Sequence, residues 1–371
     1  MNKVLGIVNF EDATASVEGL GDHRPVSAFA FLGRYRVIDF VLSNMTNSGI
    51  NDIQVYCKEK PRSLIEHLGT GQQYNINSKR GNLHILNGEK KPVSDVYNHD
   101  VNNFMQNMEF IEESDKGYVV VAPSYFIYQI DYNQVIEAHV NSGDDITILY
   151  KATDNAKNEF IGCETVLFDE TKKVIGIEKN RGKYKTRNIS LECYVMSRKL
   201  FIDLVNRAAN TSSLYWFKDI LRDVYNEYTI RGYAVKGYVA CINTLKAYYN
   251  ANMDLRKREI ARNVFKKDWP IHTMTNDSCP TQYVSGSVVK GSTVANGCLI
   301  EGTVINSVLG RNVTVKKGAV VENSIILPGA YISDGAKLDH VVVDKYAIIH
   351  HVKKLEGTDD SPVYVKRRDR I

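Results

Sequence analysis

Apolar residues along this chain follow three patterns in succession. Near the start, Val4-Leu5-Gly6-Ile7-Val8 and Asp52-Ile53-Gln54-Val55-Tyr56-Cys57 are short runs bounded by turn signals, as expected of strands buried in a parallel sheet. Between them Phe40 to Asn47 reads as a helix stopped at Gly49, the usual kind of C-terminal residue. Arg62 to Leu68 reads as a short helix and Gly69 to Lys91 as a long polar loop. His99 to Glu112 carries Val101, Phe104, Met105, Met108 and Ile111 at helical spacing. Tyr118 to Ala122 is another buried strand, Asp131 with Gln134 opens a helix that ends at Gly143, and Asp145 to Tyr150 follows as a strand. The alternation is that of a doubly wound α/β sheet.

The second pattern is shorter in wavelength. Val166 to Phe168 and Val174 to Ile177 pair around the turn Asp169 to Lys172. Two amphipathic helices follow, one lined by Leu200, Phe201, Leu204, Val205 and Ala208, the other by Phe217, Ile220, Leu221 and Val224; both read as packing elements. Periodicity then lapses between about Lys257 and Tyr283, where Pro270 and Pro280 fall.

Beyond that boundary the period becomes six. Val288, Val294 and Ile300, then Val320, Ile326, Ile332 and Leu338, recur at that spacing, with Gly329 and Gly335 between the later ones. Period-six aliphatics predict a parallel β-helix, three short strands per coil around a continuous core. Three parts follow: residues 1–257 as an α/β domain, 258–282 as a linker, and 283–371 as a left-handed β-helix with a basic tail.

Composition narrows the class. The 371 residues are 43% hydrophobic and 24% charged with a net charge of +4, values of an ordinary globular chain with no polyanion-binding character. The tail Lys366-Arg367-Arg368-Asp369-Arg370 reads as a solvated end, and no nucleic-acid partner is expected. Six cysteines without a CxxC spacing read as reduced thiols in a cytoplasmic protein. No apolar run approaches the ~18 residues of a membrane span, and the apolar start is broken too early for a signal peptide.

One stretch carries a specific resemblance. Gly33-Arg34-Tyr35-Arg36-Val37-Ile38-Asp39-Phe40, followed by Leu42-Ser43-Asn44 and Asn47-Ser48-Gly49-Ile50, resembles the signature of bacterial ADP-glucose pyrophosphorylase (glucose-1-phosphate adenylyltransferase). The resemblance extends through Ala251-Asn252-Met253-Asp254-Leu255 and the hexapeptide repeats. It implies a nucleotidyltransferase (Rossmann-like) first domain in which glucose 1-phosphate attacks the α-phosphorus of ATP, with Mg²⁺ held by carboxylates.

This chain departs from the family at each catalytic element. The Gly-rich phosphate loop is replaced by Asn9-Phe10-Glu11-Asp12-Ala13-Thr14. Like charges about 4 Å apart repel by up to ~4 kcal/mol at an effective dielectric near 20, so Glu11 and Asp12 are expected to oppose ATP. Alignment on Tyr128, Asp131 and Tyr132 puts Tyr125 at the first metal aspartate, and alignment on Tyr248 puts Cys241 at the second. A neutral phenol and a soft thiol are poor Mg²⁺ ligands.

Other family positions persist. Glu178 and Lys179 match a sugar-phosphate motif, with Asn180 in place of its proline, and Ser190 matches a serine near the sugar. Arg24, Arg34, Arg36 and Asp39 also match, as effector-site residues or as a structural ion-pair network; the effector segment's lysine is absent from Arg24-Pro25-Val26-Ser27. His340, His350 and His351 raise a hexapeptide acyltransferase as a rival and read as structural.

The resemblance thus implies a non-catalytic, regulatory branch of the family, whose members join a catalytic subunit in a heterotetramer serving glycogen synthesis. A sugar phosphate is the implied ligand, and no cofactor is expected, Mg²⁺ entering only with residual catalysis. The alternatives are an active adenylyltransferase with rearranged catalytic groups and a sugar-phosphate sensor acting alone.

Overall fold

The structure, a computed structural model, describes residues 3–12, 15, 17, 19–57, 60–76, 81–87 and 99–371. Among these, a nine-stranded mixed sheet organises the first domain. Val4–Asn9 lies at its centre, parallel to Ile53–Cys57 on one side and to Tyr118–Pro123 on the other. Its residues are apolar on both faces because helices cover both. Ile38–Asn47 and Tyr132–Ser142 pack into one core cluster, while Asp100–Gln106, Arg198–Thr211 and Phe217–Val224 pack into the other.

Three features differ from expectation. Part of the predicted polar loop is a strand, Leu83–Asn87, parallel to Ile53–Cys57 at the sheet edge; residues 77–80 and 88–91 of that stretch, like Ala13 and Thr14, lie outside the described residues. The helix predicted over His99 to Glu112 is two, Asp100–Gln106 and Met108–Glu112. Asn107 divides them, its side-chain amide donating to the Asn103 carbonyl at 2.9 Å, the local competition that makes asparagine a poor helix-interior residue.

The third feature is Arg187–Ser197, a long strand antiparallel to Tyr118–Pro123 that also pairs with Ile146–Thr153. Its register breaks between Ser190 and Tyr194, and Glu192 in the break has φ +49°. Such bulges re-aim a side chain.

The second domain is a three-sided, left-handed parallel β-helix. Its faces stack strands at Gln282–Tyr283, Val288–Lys290 and Thr293–Val294 and at their counterparts in each later coil. Ile300, Ile326, Ile332 and Leu338 point inward as the period of six requires, but Val320 is half-buried and Val288 exposed. The inward residue of that face is instead Val304, Val321 and Leu338 in successive coils.

Coils here are not 18 residues long. Ile300 to Val315 spans 15, and Val315 to Ile332 and Ile332 to Ile349 span 17. Successive corners between the second and third faces are turned by one left-handed residue, Asn306, Asn323 and His340, a conformation that asparagine tolerates better than most. His340 is therefore a corner residue, its ring nitrogens 2.7 Å from Asp339 and 3.2 Å from Asp359.

The third face is apolar on both sides. Leu309, Ile326 and Val343 stack inside the coil, while Val308, Ile325 and Val342 stack outward and belong to the first domain's own core cluster with Val37, Phe40 and Leu255. The helix Leu245–Arg256 bridges the two parts: the Tyr249 hydroxyl donates to the Asn323 carbonyl (2.6 Å), and Asn252 Oδ1 accepts from the Leu32 amide (2.9 Å). Gly33, at φ +77°, lets the signature loop approach this face, since a Cβ there would lie 2.7 Å from the Leu309 carbonyl.

A buried ion pair closes the junction. Arg24 Nη2 donates to Asp344 Oδ1 at 2.6 Å with both side chains almost fully enclosed, and the Tyr364 hydroxyl donates to Asp344 Oδ2 at 2.8 Å. Removing one partner of such a pair typically costs ~3–5 kcal/mol, but the two ends are unequal here. Without Arg24, Asp344 keeps Tyr364 and its neighbour Lys345; without Asp344, Arg24 faces Arg36 and Lys345 uncompensated. Denaturant unfolding should therefore show Asp344→Asn losing about 3–5 kcal/mol and Arg24→Met distinctly less.

Candidate functional site

Ligands of parallel α/β sheets sit beyond the carboxyl ends of the strands, which here means the space above Asn9 and Pro123. Among the described residues, the cleft found there is narrow. The cleft lined by Asn9, Asp12, Asp100, Glu192, Trp216 and Lys218 retains about 10 Å³, at the lower limit for one water.

The lining starts from a misplaced charge. Lys218 is the second residue of the helix Phe217–Val224, where the helix dipole disfavours a cation. Its ammonium is nonetheless held there, 2.5 Å from Asp12 Oδ2 and 3.1 Å from Glu192 Oε1. Burial pulls this ammonium down, but Glu192, Asp12 and Glu164 outweigh burial and raise it. The bulge at Glu192 supplies one carboxylate; the loop after the first strand supplies the other.

The remaining cleft groups are engaged as well. Tyr125, at the position of the family's first metal aspartate, donates its hydroxyl to Glu192 Oε2 at 2.6 Å, and burial raises the phenol well above its usual range. Asp100 accepts from the Asn9 side-chain amide (2.7 Å) and from the backbone amides of Val101 (2.7 Å) and Phe217 (3.0 Å). Burial pushes Asp100 up to about 7 despite these bonds. The Phe10 ring meets Trp216 edge-on at 5.7 Å.

The expected repulsion by the loop acids takes another form: Asp12 is neutralised from within by Lys218, and Glu11 accepts from the Val26 amide at 2.9 Å. Cys241, in place of the second metal aspartate, is buried with its sulfur 3.6 Å from that of Cys163. These donors do not fit Mg²⁺: a phenol spent on Glu192, a thiol facing a thiol, and an ammonium already lying between the two nearest carboxylates. Among the described residues no cluster of His, Cys, Asp and Glu could hold a metal ion.

The sugar-phosphate candidates lie across three neighbouring strands. Thr165 pairs with Glu178 on one side and with Ile189 on the other, so alternation puts Lys179, Glu164 and Ser190 on one face and Glu178 on the opposite one. Glu178 is bound to Arg187 at 2.8 Å and Lys179 is exposed. Ser190 is buried, its oxygen accepting from the Glu192 amide at 3.1 Å. Asn180 donates to the carbonyls of Ala156, Glu159 and Phe160 at 2.9–3.1 Å, stapling the loop that borders Cys163. An open pocket of about 700 Å³ lies beyond Cys241, lined also by Phe160, Ile161 and Tyr238; it does not include Glu178, Lys179 or Ser190.

The arginine candidates separate by role. Asp39 is a buried structural hub that accepts from the Tyr74 hydroxyl (2.6 Å) and the Arg36 amide (2.7 Å) and lies 2.6 Å from His67 Nε2. Arg24, Arg36 and the exposed Arg34 face the β-helix, which contributes Arg311, Lys345 and Arg367. Burial, Arg36, Arg24 and Arg367 together lower Lys345 to about 7. Arg367 is thus turned inward, so the tail read as solvated is in part a wall of this cationic junction. Sequence reasoning missed Arg311, Lys345, Glu192 and Lys218; a lysine in a helix's first turn was the one visible signal, since it demands nearby carboxylates.

The sheet, the cleft and the hexapeptide coils define a nucleotidyltransferase joined to a β-helix. The Nucleotidyl transferase family matches residues 18–258, and the GlmU-like C-terminal hexapeptide family matches residues 280–361. The chain belongs to the nucleotidyl transferase family, in the group that contains the GlgD proteins and the glucose-1-phosphate adenylyltransferases. It is 34% identical over 86% of its length to the glycogen biosynthesis protein GlgD of Geobacillus stearothermophilus, covering 83% of that protein. It is 28% identical to GlgD of Bacillus subtilis over 99% of this chain and 96% of the relative. A glucose-1-phosphate adenylyltransferase of Clostridium perfringens is 31% identical over 82% of this chain and 78% of its own. Among the described residues no helix is long and apolar enough to cross a membrane.

Two outcomes follow from the cleft's charges. Lys218→Met should cost about 3–5 kcal/mol in denaturant unfolding, because Asp12 and Glu192 lose their counter-charge. Burial, with Glu192, pushes Glu164 up to about 8 from its ordinary 4.5. Between those two values the folded chain holds a proton that the unfolded chain has released, so stability falls as pH rises through that window. Glu164→Gln should flatten the pH profile there and gain on the parent protein toward pH 8.

Proposed function

We propose that this chain is a non-catalytic regulatory subunit in glycogen biosynthesis, acting in the cytoplasm beside a catalytic GlgC-type glucose-1-phosphate adenylyltransferase in a heterotetramer. The observation that carries the reading is the ammonium of Lys218, paired with Asp12 and Glu192 beyond the carboxyl ends of the strands, where ligands of this kind of sheet are expected. The names of the relatives, GlgD proteins on one side and glucose-1-phosphate adenylyltransferases on the other, support the pathway and the partner.

The cationic junction is the regulatory site in this reading. Arg24, Arg34, Arg36, Arg311, Lys345 and Arg367 lie where the two domains meet, and their mutual repulsion favours a multiply charged anion. A phosphorylated sugar fits both the charge and the pathway. An anion here touches both domains, so its binding energy bears on their packing, and a coupling of ~1–3 kcal/mol to the partner is in the normal range. The same junction favours, as a second reading, a sugar-phosphate sensor that acts without a partner.

Purified away from any homologue, the chain should turn over ATP and glucose 1-phosphate with Mg²⁺ at least several decades more slowly than an ordinary enzyme; a turnover number of ordinary size overturns the reading. Co-expressed with a catalytic homologue, the two should elute together and the partner's half-saturation should shift. Separate elution with unchanged kinetics leaves only the sensor. Since Lys345 gains its charge below about pH 7, titration with a sugar bisphosphate should show tighter binding at pH 6 than at pH 8, a difference that Lys345→Met removes.

A further inference from the structure

Cys163 and Cys241 are 78 residues apart in sequence, yet their sulfurs are 3.6 Å apart. The contact is not a by-product of general thiol burial. Cys193 faces the Tyr132 hydroxyl and Cys298 the carbonyls of Ala295 and Gly310, while Cys279 is exposed. Cys163 opens the strand Glu164–Phe168 from a loop in which Phe160 (φ +55°) and Gly162 (φ +86°) both hold left-handed conformations. Cys241 ends the strand Val239–Cys241 on the facing side.

We propose that this pair is a reversible dithiol that closes to an intramolecular disulfide on reaction with an external disulfide such as oxidised glutathione. One thiolate attacks a glutathione sulfur and releases one glutathione thiol. The second protein thiolate then attacks the mixed disulfide and releases the other. Two protein thiols are oxidised to one S–S bond, one glutathione disulfide is reduced, and the two protons lost by the protein thiols end on the two glutathione thiols, with none released net.

The geometry supports the step in three ways. The two sulfurs already lie 3.6 Å apart, so bond formation at about 2.05 Å needs an approach of only roughly 1.5 Å. Access exists, because Cys241 lines the open pocket of about 700 Å³ together with Phe160 and Ile161 of that loop. The product would tie the loop to the strand across the pocket's inner wall. Burial raises the Cys241 thiol well above its ordinary value, so closure is slow at neutral pH and quickens as pH rises.

The test uses the full chain carrying Cys279→Ser, which removes the exposed competing thiol. The reduced protein is exposed to oxidised glutathione at pH 7, 8 and 9, quenched with acid, alkylated in denaturant and peptide-mapped. The expected result is a peptide linking Cys163 to Cys241, formed about tenfold faster per pH unit, reversed by dithiothreitol and absent in Cys163→Ser. The melting midpoint should rise on oxidation and return on reduction. The proposal is overturned if both thiols remain alkylatable at pH 9 while circular dichroism shows a folded chain, or if the linked peptide forms only after denaturation. The mapping is made on a chain with both thiols present, so its outcome does not depend on whether the Cys163→Ser variant folds.

Discussion

A lysine ammonium removed from water at the top of the sheet is the constraint around which the first domain is arranged. Such a charge is tolerated in the interior only when carboxylates meet it, and Lys218 stands besides at the unfavourable end of a helix dipole. The loop after the first strand must therefore carry Asp12, and the antiparallel strand must bulge to deliver Glu192. Tyr125 caps the second oxygen of that glutamate, and Trp216 closes over Phe10. Each piece is explained by the charge at the centre. What remains is a sheet with the outline of a nucleotide-binding fold and an ion-paired ammonium beyond the carboxyl ends of its strands.

The second organising feature is the double-sided third face of the β-helix. Val308, Ile325 and Val342 belong to the first domain's core as much as to the coil, so the two parts share apolar interior. At the rim of that shared interior the chain places more cations than carboxylates, and the Arg24 and Asp344 pair leaves Arg36, Arg311, Lys345 and Arg367 in excess. In the proposed reading, this excess of cations is what draws an anion to the place where the two domains meet.

Much of the fold was legible because it is written in periodicity. The apolar runs of Val4 to Val8 and Tyr118 to Ala122 and the helix ending before Gly49 needed only local rules. Leu83–Asn87 was illegible because an edge strand carrying His84 and Asn87 lacks the apolar pattern of its neighbours. The coil period was misread at Val288 and Val320 because a single left-handed residue, Gly291 after the first and Asn323 after the second, shortens one corner, which shifts the inward position by one residue. The doublets Val308-Leu309, Ile325-Ile326 and Val342-Val343 did carry the true register, an apolar pair where both sides of a face are covered. The cleft was legible only as an absence of family residues. What replaced them depends on Lys218 meeting Asp12 across 206 residues of chain and Glu192 across 26, and no spacing rule reports that.

The central claim is that this cleft is closed by the protein's own charge. Isothermal titration of the pure, full chain with ATP and Mg²⁺ tests it most directly, since binding is measured with no demand for turnover. The account predicts no saturable heat into the millimolar range. Saturable one-to-one binding of ATP, weakened by substitutions at Asn9 or Trp216, would contradict it.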